Sequence, residues 1–227
     1  MNIKIMNVSK RFQSIEGKYI ESLKGINLDI NYGNYLSFIG PSGSGKTTLL
    51  KIISGNLRPT TGDVLWGKHR LSRLKERDIH YLRRSIFGIV FQDSYFINDL
   101  NVQDNILLPL AINNVLIKEK MEYYNSLMNS LGIDKLQKRF PIELSGGEKR
   151  KVAIARALIS SPVVLIADEP TANLDEASAK DLFNIFRNLN KMGLTIIVAT
   201  HDERFGKFCK ETYFIRDGRI EEFFSRR

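Results

Sequence analysis

Cysteine is almost absent: the chain has one, Cys209, in 227 residues. No intramolecular disulfide is possible, so packing and hydrogen bonds must hold the fold together. Long apolar runs are absent too. A stretch such as VVLIA at 163–167 falls far short of the ~20 residues a bilayer crossing needs, and no segment is expected to cross a membrane by itself. The opening MNIKIMNVSKRF lacks the apolar core of a secretory signal, which favours the cytoplasm. Acidic residues are outnumbered, leaving a formal charge of +9, and the densest basic stretch is KHRLSRLKERDIHYLRR at 68–84. Zinc-knuckle spacing, an RNA-recognition signature and aromatic-basic interleaving are all missing. That stretch therefore reads as a solvated helix face, and no nucleic-acid partner is expected.

What is present is 43% hydrophobic and 26% charged, a composition able to bury a core. Short apolar runs without polar alternation occur at 35–39 (YLSFI), 86–91 (IFGIVF), 163–167 (VVLIA) and 195–199 (TIIVA). Such runs predict strands buried on both faces of a parallel sheet. Helical spacing falls between them: Leu49, Leu50, Ile52 and Ile53; then Ile117, Met121, Tyr124, Met128 and Leu131 before Gly132; then Leu182, Phe183, Phe186 and Leu189 before Gly193. Strands alternating with helices predict an α/β fold. Residues 1–30 and 62–66 read as further β segments, and 212–224 as a hairpin turning at Asp217-Gly218, so an antiparallel β layer is expected beside the parallel core. Most of 93–160 is helical in pattern. Asn101 with Asp104 suggests a cap, and Pro109 is expected to limit the helix that follows.

GPSGSGKT, Gly40, Pro41, Ser42, Gly43, Ser44, Gly45, Lys46 and Thr47, fits G-x-x-x-x-G-K-[ST] and lies between an apolar strand and a helical pattern. Glycines let successive backbone N–H groups face phosphate oxygens, the helix N-terminus adds partial positive charge, and Lys46 neutralises the β and γ phosphates. Thr47 would ligate Mg²⁺, and Thr48 extends the nucleotide contact. VVLIADE then delivers Asp168 and Glu169 at the C-terminal end of a strand, where α/β sheets present ligands. Asp168 would reach Mg²⁺ through water, and Glu169 is the candidate to orient or deprotonate the attacking water.

A second glycine loop, LSGGE at 144–148, precedes a basic helical segment. The ordered set GPSGSGKT, LSGGE, VVLIADEPT, NLD at 173–175 and TH at 200–201 resembles the nucleotide-binding subunit of ATP-binding cassette (ABC) transporters across essentially the whole chain. ADEPTANLD, FIRDGRI and FQDSYFINDLNVQDNILLPL are most similar to the lipoprotein-releasing, macrolide-export and antimicrobial-peptide-export ATPases, with the cell-division ATPase a close cousin. The resemblance implies a P-loop NTPase core at about 1–92 and 161–227 with a helical subdomain inserted at about 93–160, all within one domain of 1–227.

It further implies an ATPase using ATP and Mg²⁺, peripheral on the inner face of the cell membrane and coupled to a separate integral-membrane permease. In the implied head-to-tail homodimer each ATP lies between one subunit's phosphate loop and the other's Ser145, Gly146 and Gly147. By the same resemblance Gln92 senses Mg²⁺ and the attacking water, Asp175 bridges the dimer, and His201 contacts the γ-phosphate. Phe12 stands where the family usually stacks a Tyr on adenine, with Tyr19 as the alternative. Ala172 replaces a commoner Gly, and Lys151 a commoner Arg. The permease is expected near Phe96, Leu100, Ile106, Leu107 and Leu108, positions that suit a core equally well. A DNA-repair ATPase is supported only by the positive charge, while signalling to the cell wall uses the same engine as export and differs only in the permease.

Overall fold

The computed structural model describes residues 2–15 and 17–226, so Met1, Glu16 and Arg227, which the domain of 1–227 includes, lie outside the described residues. In chain order the elements are β1 (Ile3–Gln13), β2 (Tyr19–Ile30), β3 (Tyr35–Ile39), α1 (Lys46–Ile53), β4 (Thr61–Trp66), β5 (His69–Arg70), α2 (Glu76–Ile86), β6 (Phe87–Val90), α3 (Val102–Ile112), α4 (Ile117–Leu131), α5 (Gly146–Leu158), β7 (Val164–Asp168), α6 (Glu176–Lys191), β8 (Thr195–Thr200), α7 (Phe205–Phe208), β9 (Glu211–Arg216) and β10 (Arg219–Ser225).

The four unalternating apolar runs become β3, β6, β7 and β8, adjacent in a six-stranded sheet of order β10-β9-β3-β8-β7-β6. All pairings among β3, β6, β7, β8 and β9 are parallel. Alternate residues serve opposite faces, as the strand period requires. Leu36, Phe38, Ile166 and Ile197 join α1 and the antiparallel layer in one core, whereas Tyr35, Leu165, Ile196 and Val198 join α3, α4, α5 and α6 in another. Both faces are therefore covered, which is why these runs are apolar throughout. The helices of 93–160 share that second core with the sheet.

The antiparallel layer has the order β2-β1-β4-β5. The hairpin β9–β10 turns at Asp217 and Gly218, both at positive φ as a tight hairpin prefers. It does not belong to the antiparallel layer: β9 pairs in parallel with β3, so the hairpin widens the core sheet. Asn101 caps α3 by accepting the Asp104 N–H at 2.9 Å. Pro109 does not end α3, which continues to Ile112. The missing N–H costs one bond, to the carbonyl four residues back, and flanking Ile106, Leu107 and Leu110 stay buried. Gly132, at φ 64°, closes α4.

Trp66, the only tryptophan, ties the layers together. Fully buried on β4, it donates its Nε1–H to the Ile53 carbonyl at the end of α1 at 2.8 Å and meets Phe87 of β6 edge-on at 5.1 Å. Trp66→Ala should lower unfolding free energy by about 3–5 kcal/mol, read as a shift in urea midpoint. A shift within error would mean that this contact does not carry the joint between the layers.

Candidate functional site

β3 ends at Ile39 and the chain turns through Gly40–Gly45 into α1. Gly45 is required there by a close approach: a Cβ would sit 2.5 Å from the Ser22 carbonyl oxygen of β2. As N-cap of α1, Gly45 offers no side-chain hydrogen bond, and no acidic residue occupies the first turn. The N–H groups opening this helix thus remain available to an anion. Pro41, Ser42 and Gly43 are exposed, while Ser44, Gly45 and Lys46 are buried. Lys46 Nζ donates to the carbonyls of Gly40 and Pro41, both at 2.8 Å, so the ammonium lies under its own loop. Burial pushes its pKa down, against the pull of Glu169 and Asp168. Thr48 Oγ1 accepts from Ser22 Oγ at 3.0 Å, which occupies its hydroxyl on the side of β2.

Asp168 and Glu169 leave β7 beside this loop. Burial pushes the Asp168 carboxyl pKa up, and a hydrogen bond from Thr47 opposes the rise. Its Oδ1 is buried with no hydrogen-bond partner among the described residues. Such an oxygen fits water on a hard cation, as does a Thr47 hydroxyl beside it. No cluster of three His, Cys, Asp or Glu that could hold a metal occurs among the described residues.

Glu169 has a left-handed backbone, φ 45°, strained for a residue with a side chain. Its N–H donates to the Ala199 carbonyl at 2.8 Å. Its Oε2 accepts from Thr200 Oγ1 at 3.0 Å and from the His201 N–H at 3.3 Å, and lies 2.9 Å from His201 Nδ1. Glu169 is largely buried and His201 largely exposed. His201 and Gln92 line one cavity with Thr171, Asn173 and Asp202, and His201 lines a second with Gly40 and Pro41. The predicted acid, histidine, glutamine and phosphate loop are therefore neighbours. Thr200, which fixes Glu169, enters TH at 200–201 only as the neighbour of His201 and carries no expected role, because a threonine ending an apolar strand has no distinguishing pattern by itself.

Phe12 and Tyr19 sit near the β1–β2 turn, both exposed. Phe12 pairs with Ile20 and Gln13 with Tyr19, so the two aromatics occupy opposite faces of the ribbon. Lys10 Nζ stands 5.2 Å from the Phe12 ring centre.

Ser145 caps α5 in a reciprocal box: its Oγ accepts the Glu148 N–H at 3.3 Å, and Glu148 accepts the Ser145 N–H at 2.8 Å. Ser145 and Gly146 nevertheless remain exposed. The cavity at this loop is lined by Ser145, Gly147, Lys151, Leu174 and Asp181 among others, and by no residue of 40–48. Asp175, expected at a dimer contact, caps α6 through the Ser178 N–H at 2.9 Å and hydroxyl at 2.7 Å. Lys151 pairs with Asp181 at 2.6 Å, so the lysine substitution keeps an ionic partner.

Two arginines of α5 escaped the sequence reading. Arg150 donates to the carbonyls of Phe91 at 2.8 Å and Gln92 at 3.2 Å. Arg156 reaches the carbonyls of Tyr95, at 3.0 Å, and Ser94. The helix that opens at LSGG thereby holds the Gln92 loop. Their signal was arginine embedded among the buried Val152, Ala153 and Ile154, which the charge pattern of the segment masked.

Residues 23–172 match the protein family described as ABC transporter. The lipoprotein-releasing system ATP-binding protein LolD of Blochmanniella floridana is 36% identical over 95% of this chain and 92% of its own length. The cell division ATP-binding protein FtsE of Escherichia coli K12 is 38% identical over 85% of this chain and 87% of its own. Among solved structures, the dimeric structure of MJ0796, described as a bacterial ABC transporter cassette, superposes with a TM-score of 0.91 at 33% identity, covering 99% of both chains. The same cassette in a post-hydrolysis state bound to ADP and Pi gives 0.90 at 32% identity.

With Lys46 under the loop, Lys46→Ala should abolish high-affinity ATP binding and leave the fold intact, checked by ATP titration alongside circular dichroism. Unchanged affinity would remove Lys46 from the phosphate site.

Proposed function

The chain belongs to the ABC transporter family as an ATP-binding, ATP-hydrolysing cassette, and from that premise we propose that it works as a head-to-tail dimer driving a separate membrane permease of the lipoprotein- or peptide-extruding type. The observation that carries the catalytic assignment is the Glu169 carboxylate, fixed by Thr200 and His201 beside the phosphate loop. ATP lies along Gly40–Thr48, with Lys46 turning from its own carbonyls to the β and γ phosphates. Mg²⁺, when bound, neutralises phosphate charge, and Thr47, Gln92 and Asp168 are the residues that would hold it, Asp168 through water.

Glu169 accepts a proton from the attacking water as the water oxygen bonds to the γ-phosphorus and the bond to the ADP oxygen breaks. With Nδ1 of His201 on Glu169, Nε2 remains to contact the γ-phosphate. Phe12 or Tyr19, on opposite faces, stacks on adenine, but not both. Ser145, Gly146 and Gly147 meet the γ-phosphate of the partner's ATP: they share no cavity with their own phosphate loop, and α5 presents its N-terminus there. Asp175, at the exposed start of α6, bridges the dimer.

The core of about 1–92 and 161–227 carries the phosphate loop and acids, and the segment of about 93–160 carries LSGG and the permease contact. Of the residues expected at that contact, Leu108 lines an open groove, whereas Ile106 and Leu107 are core and partly buried Phe96 packs on Arg156. The open groove, about 420 Å³, is lined by Arg83, Arg84, Phe91, Tyr95, Ile112 and Arg156 among others, with no carboxylate. It suits a permease segment presenting apolar and acidic side chains. Arg156 links this groove to the loop of Gln92, a route from permease to nucleotide. No described helix is long and apolar enough to cross a membrane; in this proposal the cassette reaches the membrane through its permease, peripherally on the cytoplasmic face. A cell-division or cell-wall signalling partner is the second reading, favoured by the likeness to FtsE. Nucleic acid is not a partner in either.

Glu169→Gln should retain ATP binding and slow steady-state hydrolysis by about 10²-fold or more; near-normal turnover would exclude Glu169 as the base. Membrane pull-downs should recover a permease, and Ile112→Asp should reduce that recovery without altering ATP affinity. Nanomolar, sequence-dependent DNA binding without permease recovery would replace transport by the repair reading.

A further inference from the structure

FIRDGRI at 214–220 forms the β9–β10 hairpin, and nothing in the hydrolysis chemistry uses it. Its turn nevertheless touches the phosphate loop. The Gly218 N–H donates to the Ser44 carbonyl at 3.1 Å, and the Gly218 carbonyl accepts the Lys24 N–H of β2 at 2.8 Å. Gly218 lies at φ 77°, and a Cβ there would be 2.7 Å from the Ser22 carbonyl oxygen and 3.1 Å from Leu23 Cα. The same Ser22 carbonyl closes against Gly45, and a Cβ on Gly40 would be 2.1 Å from the Ile215 carbonyl oxygen. The loop is thus wedged between β2 and the hairpin, near opposite ends of the chain, at backbone-to-backbone distances that leave no room for side chains.

A peptide unit is planar and trans, so its C=O and the following N–H point in opposite directions. Holding the Ser44 carbonyl toward Gly218 therefore aims the Gly45 N–H away from the hairpin, into the side of the loop where phosphate binds. We propose that Gly218 is a positioning residue for ATP: its amide, locked by β2, orients the Ser44–Gly45 peptide before nucleotide arrives. The sequence carries the requirement as the Asp217-Gly218 pair, which a hairpin alone also explains; the bond to Ser44 is what sets this turn apart.

This inference rests on the phosphate-loop reading, and the two fail differently. If Lys46→Ala leaves ATP affinity unchanged, that reading is wrong; if Lys46→Ala loses affinity while Gly218→Ala does not, only the role of Gly218 is wrong. Gly218→Ala should weaken ATP and ADP binding by about tenfold and raise KM by a similar factor, with kcat at saturating ATP changed less than about threefold. Asp217→Ala, which strains the same turn without touching Ser44, should lower melting temperature yet leave nucleotide affinity within about twofold. Hydrogen exchange on the parent protein covers the case in which Gly218→Ala does not fold. By linkage, MgATP must strengthen a bond that favours its own binding, so exchange of the Gly218 amide should slow by about tenfold. Equal affinity losses in both variants, unaltered affinity in folded Gly218→Ala, or Gly218 exchange indifferent to MgATP would each overturn the proposal.

Discussion

The register of three parallel strands is the constraint on which the site depends. Ile39 lies opposite Thr200 and Asp168 opposite Ala199, so β3, β7 and β8 end at one level and release Gly40, Glu169 and His201 along the same edge. Because side chains alternate faces, a slip of one residue would exchange the two cores and carry Asp168 off the phosphate loop. The two-faced burial of Leu36, Ile166 and Ile197 against Tyr35, Leu165 and Ile196 prevents such a slip. Packing in the two cores thereby fixes which residues the sheet presents at this edge.

A second constraint runs through α5. One end of this helix presents Ser145 and its capping box at the surface; along its length, Arg150 and Arg156 hold the carbonyls of the loop that carries Gln92. Burial lowers the pKa of both arginines, but the guanidinium remains charged over any physiological range, so these clamps do not switch with pH. A permease segment in the neighbouring groove would press on a loop tied rigidly to the LSGG helix. If the proposed permease and dimer contacts hold, these bonds would couple movement at the membrane side to the dimer face.

Much of this was legible in the sequence, for identifiable reasons. Unalternating runs such as YLSFI specify doubly buried strands, and GPSGSGKT after such a run specifies a phosphate loop. Asn101, Gly132 and the Asp217-Gly218 turn announced themselves through local backbone chemistry. What escaped was tertiary. Proline at 109 looked like a stop, yet buried neighbours carry α3 past it. Ile106 and Leu107 suited a docking surface and a core equally, because apolar residues on a helix do not reveal which side is covered; both are core. The bonds from Thr200 to Glu169, from Arg150 to Phe91 and Gln92, and from Gly218 to Ser44 join segments distant in sequence, and no spacing rule reaches them.

The central claim is that the second glycine loop serves a neighbour's nucleotide, and it is tested most directly by adding Ser145→Arg to the slowly hydrolysing Glu169→Gln protein. ATP titration and size-exclusion chromatography on the same samples separate binding from association. The parent Glu169→Gln should accumulate an ATP-bound dimer, since nucleotide contacting both subunits stabilises their association. The double variant should remain monomeric while binding ATP through its intact phosphate loop. Loss of monomer binding, with the residual ATP-bound protein still dimerising normally, would place LSGG in its own subunit's site and contradict the account.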